Sequence, residues 1–166
     1  MLESIAYILP AAVTGFVAYY MFKGFLNQQN SEKKMQFLAD KKKETLPIKL
    51  QAYERMLLFC ERINPMKIAV RIKPISETTN DYLLLLLANI EQEYEHNLVQ
   101  QIYVSDTTWA SIIGAKNATI NKLKQIAETS NSANDLRENI LITYSKTLPP
   151  TDTAIGFIKN EVKKLL

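Results

Sequence analysis

Glycine is scarce in this sequence, with four in 166 residues, which leaves little for the tight turns of a sheet or for loops that cradle phosphates. Cysteine is scarcer. The single Cys60 excludes an intramolecular disulfide framework and suits a reducing compartment. One histidine, His96, leaves no room for a histidine-rich metal site. No Walker loop, dinucleotide fingerprint, nucleophile elbow or paired-cysteine zinc spacing occurs, and there is no repeat of solenoid length. These absences point away from an enzyme: no catalytic, cofactor-binding or metal-ligating residue is assigned, and no cofactor is expected.

What is present begins with Ser4–Phe22, nineteen residues without a charge between Glu3 and Lys23. At about 1.5 Å per residue, a helix of roughly twenty such residues crosses the ~30 Å hydrocarbon core of a bilayer. A signal peptide would want a basic start and a small-residue cleavage site, whereas this run opens on Met-Leu-Glu and ends in Tyr19, Tyr20, Met21 and Phe22. The expectation is a transmembrane anchor over residues 1–23. Ala11, Gly15 and Ala18 share one small-residue face, through which a weak homodimer is expected.

From Lys23 to Leu50 seven lysines oppose three acidic residues, a net +4, while residues 51–166 hold thirteen charges of each sign. The positive-inside rule then sets the N-terminus outside and everything after it in the cytoplasm, as a single-pass protein of the inner (cytoplasmic) membrane. Residues 24–46 read as a basic juxtamembrane stalk whose lysines lie near anionic lipid. Residues 47–166 read as one cytoplasmic helical domain.

Within that domain Pro47 suits the first turn of a new helix over Leu46–Ile63, with Leu46, Leu50, Tyr53, Leu57 and Cys60 as its apolar stripe. Residues 67–73 alternate as a strand would, but no second alternating run exists to pair with them, so a short helix is expected there. The longest helix of the domain is expected from Thr79 to about Val104. Its five successive leucines, Leu83 to Leu87, imply burial on every side. Further helices follow from a cap at Ser105 or Asp106 to Glu128, from a Ser132–Asp135 capping pair to Thr147, and from Thr151 or Asp152 to the end. The fold class is all-α: a single N-terminal transmembrane helix plus a soluble bundle of four or five helices.

Three constellations invite chemistry. Glu93-x-x-His96 places a carboxylate and an imidazole on one helical face, but a di-iron bundle needs two such pairs and two more carboxylates. A Cys60–His96 nucleophile pair is opposed by the place of Cys60 on the apolar stripe. Ala110 to Lys124 resembles a bacterial helix-turn-helix, with Gly114 at the turn and Lys116, Asn117, Thr119 and Lys122 toward the groove. A neutral domain is a poor electrostatic match to DNA, so nucleic acid is disfavoured and a straight helix through Gly114 is expected.

The stretches Lys49–Pro65 (KLQAYERMLLFCERINP) and Glu93–Trp109 (EYEHNLVQQIYVSDTTW), behind the N-terminal run, resemble a group of short, uncharacterised, singly anchored bacterial proteins. That resemblance implies an anchor and a cytoplasmic helical domain, and supplies no activity or ligand. The functional expectation is a membrane-tethered helical protein-interaction module, a scaffold or accessory subunit of an inner-membrane assembly with an unknown protein partner. The alternative is a membrane-anchored helix-turn-helix protein that binds nucleic acid.

Overall fold

The computed structural model describes the backbone of residues 2–166 and the side chains of residues 13–166. Six α-helices follow one another: α1 (Leu2–Arg62), α2 (Pro65–Arg71), α3 (Thr79–Asn97), α4 (Asp106–Glu128), α5 (Ala133–Lys146) and α6 (Thr151–Leu165). A 3-10 turn, Leu98–Ile102, extends α3, and no strand occurs among the described residues. The chain is all-α. It divides into two compact units, Met1–Thr45 and Leu46–Leu166.

The first unit is helical, and its described side chains are exposed throughout. Neighbours along the helix meet: Phe16 and Tyr20 rings lie 4.6 Å apart, Tyr19 and Tyr20 rings 5.6 Å apart, Gln28 donates to Glu32 at 3.0 Å, and Lys41 sits 4.7 Å from the Phe37 ring. Ser4–Ala12 of the expected anchor, including Ala11 of the expected dimer face, lies outside the described side chains. Among the described residues no helix is long and apolar enough to cross a membrane. This corrects the expected transmembrane helix and with it the single-pass, inner-membrane placement.

The second unit contains the C-terminal part of α1 and all of α2–α6. Pro47 lies inside α1 instead of opening a new helix, a correction to the expected start at Leu46. Its ring removes one ladder hydrogen bond, and the boundary between the units falls beside it. The buried face beyond it is Ala52, Tyr53, Met56, Phe59, Cys60 and Ile63. It is centred one position away from the expected stripe, so that Leu46, Leu50 and Leu57 remain half-buried at its edge.

Asn64 caps α2, its side chain accepting from the Met66 and Lys67 amides at 3.1 and 3.4 Å, with Pro65 in the first turn. The helical reading of this segment holds. Ile68 and Ala69 turn inward, and the Arg137 Nε donates to the Ala69 carbonyl at 2.9 Å.

α3 stops earlier than expected. Asn97 turns its side-chain amide back onto the Glu93 carbonyl at 2.8 Å, and the backbone tightens into the 3-10 turn. The leucine run is not buried on every side: Leu86 is fully buried and Leu83, Leu85 and Leu87 are half-buried against the core, whereas Leu84 is 55% exposed. Five apolar neighbours cover every side of a helix, but the bundle does not surround α3, and Leu84 faces away from it.

Ser105 caps α4 and Ser132 caps α5, each accepting the amide three residues on, at 3.2 and 3.1 Å. Asp135 completes the second cap by accepting the Asn131 amide at 2.7 Å, one residue before the position a strict capping box uses. The core joins Met56, Phe59 and Ile63 of α1 to Leu86 and Ile90 of α3, Ile112 and Leu123 of α4, Leu136 and Ile140 of α5, and Ile158 of α6. Truncating one such side chain to alanine costs about 2–5 kcal/mol.

α4 runs straight through Gly114, as expected, and no residue among those described has positive φ. A Cβ built there meets nothing within 4 Å. Gly114→Ala should therefore stabilise the chain by about 0.4–1 kcal/mol, read as a raised melting temperature by circular dichroism. A turn at this position would give the opposite sign.

Candidate interaction site

Two features of the second unit leave an open groove. The C-terminal part of α1 and α6 lie antiparallel, tied at one end by Asn64 Nδ2 to Thr151 Oγ1 at 3.5 Å and further along by Tyr53 to Glu161 at 2.7 Å. Between them runs a cavity of about 340 Å³ lined by Leu50, Tyr53, Glu54 and Leu57 on one wall and Ile158, Lys159, Val162 and Lys163 on the other. Its floor is aliphatic because the core claims Met56 and Phe59, one position off the expected stripe, and leaves Leu50 and Leu57 behind. Its charges sit on the rims.

Glu161 holds the groove's shape. Its Oε1 accepts from the Tyr53 hydroxyl at 2.7 Å and from the Ser105 amide at 3.0 Å. Its Oε2 accepts from the Ser105 hydroxyl at 2.9 Å and from the Thr108 hydroxyl. One carboxylate on α6 thus binds the cap and the Thr108 hydroxyl at the start of α4, where the helix dipole favours a negative charge, and anchors α1. Partial burial pushes its acidity toward weaker, but the hydrogen bonds from Thr108, Tyr53 and Ser105 outweigh it and hold the carboxyl below its ordinary value. Tyr53 moves the other way. Burial first, then its bond to Glu161 and the negative charge there, raise its phenol well above the usual range.

A second polar cluster lies between α3 and α4. Lys116 Nζ contacts both Glu91 oxygens at 2.9 and 2.8 Å and sits 4.3 Å from the centre of the Tyr94 ring, which stacks on Trp109 at 6.1 Å. Lys116 is 9% exposed and Thr119 is fully buried, its hydroxyl without a hydrogen-bond partner. Two of the four side chains that a helix-turn-helix would turn toward DNA therefore face the bundle, while Asn117 and Lys122 are exposed.

The remaining sequence candidates separate. Glu93 is taken by Arg62, 2.8 Å away, with Arg71 at 4.0 Å. His96 is exposed, and no group of three His, Cys, Asp or Glu side chains among the described residues is placed to hold a metal ion. Cys60 is completely buried, and burial together with the Glu61 charge pushes its thiol up to about 12. Gly15 and Ala18 are exposed, as are the lysines of the flank from Lys23 to Lys43. Reasoning from sequence missed Glu54, Lys159, Lys163 and Glu161. The hydrogen bond between Tyr53 and Glu161 spans 108 positions, and no local spacing announces it.

Two measurements follow from these geometries. Because the folded Glu161 is more acidic than the unfolded one, its contribution is complete above the unfolded pKa and is lost as the pH falls through the lower, folded one. Glu161→Gln should lower the melting temperature near neutral pH, and the gap to the parent chain should close in acid, below about pH 4. A gap independent of pH would mean that the charge contributes nothing. Native Cys60 should resist a thiol-specific disulfide reagent near neutral pH and react at once in denaturant; rapid labelling of the folded chain would contradict its burial.

No curated protein and no solved structure matches the chain. The sequence model of a family of unknown function (DUF7935) matches residues 1–165, and the chain belongs to that family.

Proposed function

We propose that the chain is a helical protein-interaction module, acting as a scaffold or accessory subunit of a larger assembly, with the α1–α6 groove as its docking surface. The observation that carries this reading is the groove itself, an aliphatic trench between two antiparallel helices with charges confined to its rims. Amphipathic helices dock into such trenches through apolar residues spaced one turn apart. Leu50, Tyr53 and Leu57 on one wall and Ile158 and Val162 on the other repeat at intervals that match. The Glu161 bonds keep both walls in register without a ligand, which reduces the ordering cost of association. The reading assigns no catalysis to the chain. The nucleic-acid alternative draws no support from a neutral domain whose Lys116 and Thr119 point inward.

The test places charge on the floor. Leu57→Glu with Val162→Glu alters two half-buried side chains, and circular dichroism reports whether the fold survives. Proteins that co-purify with the tagged full chain are then compared quantitatively between parent, groove variant and a Leu84→Glu control on α3. At least one binding protein should be lost from the groove variant and kept by the control. An identical set from all three chains would remove the reading.

A further inference from the structure

The groove's charges are divided by wall. Glu54 stands on the α1 rim, Lys159 and Lys163 on the α6 rim, and all three are exposed. None of them takes part in an ion pair among the described residues. A docked helix of uniform charge would satisfy one rim and oppose the other. The matching surface must show a basic edge to α1 and an acidic edge to α6, with aliphatic side chains between. The groove itself has that arrangement.

We propose that the groove receives the same groove of a second copy of this chain, in a two-fold dimer whose axis runs along the groove. The walls are antiparallel, with Asn64 beside Thr151 and Tyr53 beside Glu161. Rotation about an axis parallel to both helices sets α1 of the second copy against α6 of the first. Glu54 of each copy then stands across from Lys159 and Lys163 of the other, and the contact repeats by symmetry. Leu50, Leu57, Ile158 and Val162 from both copies become the centre of a four-helix arrangement. Charges at the rims set which copy and which register are accepted, while the aliphatic centre supplies the driving force. This inference rests on the groove being the docking surface and adds the identity of its occupant.

Charge exchange between chains tests it. Full chains carrying two different tags are co-expressed, and capture of one by the other is quantified. The parent should capture itself. Glu54→Lys with itself, and Lys159→Glu/Lys163→Glu with itself, should each fall by about tenfold, since every substitution appears twice across the axis. The decisive sample mixes the two variants. Within each chain the rim charges remain unrepaired, yet across the two-fold every rim again faces its opposite, so capture should return toward the parent value. Undiminished self-capture by the single variants, or a mixed pair no better than either alone, overturns the dimer. Loss of other proteins from Leu57→Glu/Val162→Glu with no response to charge exchange leaves the docking groove standing and removes only the second copy as its occupant. All three charge substitutions lie at exposed positions, and circular dichroism verifies that each variant folds.

Discussion

The carboxylate of Glu161 is where three helices of the second unit meet. It accepts the Tyr53 hydroxyl from α1 and three donors from the start of α4, the amide and hydroxyl of the cap Ser105 and the hydroxyl of Thr108, while its own backbone belongs to α6. A helix N-terminus is the positive end of the helix dipole, and a single anion set there takes the cap amide and meets that charge. The groove follows from this tie. With α6 drawn to α4 and Tyr53 held against α6, Leu50 and Leu57 face Ile158 and Val162 across an open trench that no other segment of the unit covers.

Helical packing elsewhere is carried by aliphatic and aromatic side chains and by a few polar pins. Tyr82 donates to the Ile72 carbonyl at 2.8 Å, Arg137 to the Ala69 carbonyl, and Thr79 to the Ser130 carbonyl at 3.2 Å. Each pin satisfies a backbone acceptor where a helix ends or a loop begins, the places where groups would otherwise lack partners. Lys116 shows how such a bundle tolerates a buried cation. Glu91 neutralises it from the exposed side and the Tyr94 ring lies against it, so its charge is met from two directions. The pairing turns a residue that looks available for phosphate contacts into part of the α3–α4 interface.

Much of the fold is legible along the chain because helix ends are written locally. Asn64-Pro65, Ser105 and Ser132 each cap the helix that follows, and each cap needs only the next two or three residues. The continuous α4 through Gly114 follows from periodicity and from the modest cost of one glycine in a helix. The errors fall where a local signal stands in for a spatial one. Pro47 is a good helix opener, but α1 passes through it. Five leucines in a row describe a helix apolar all round, yet Leu84 is left facing away from the core. An uncharged run marks a membrane span by its length, yet among the described residues no helix is long and apolar enough to cross a membrane.

Sequence by itself determined the all-α class, the ends of most helices and the exclusion of familiar catalytic motifs, since each depends on residue type and spacing within a few turns. Tertiary structure decided which leucines are covered, that Lys116 and Thr119 point inward, and that Glu54 faces Lys159 and Lys163 across a trench. The physical reason is separation along the chain. Tyr53 and Glu161 stand 108 positions apart, and nothing in the neighbourhood of either reveals that one holds the other.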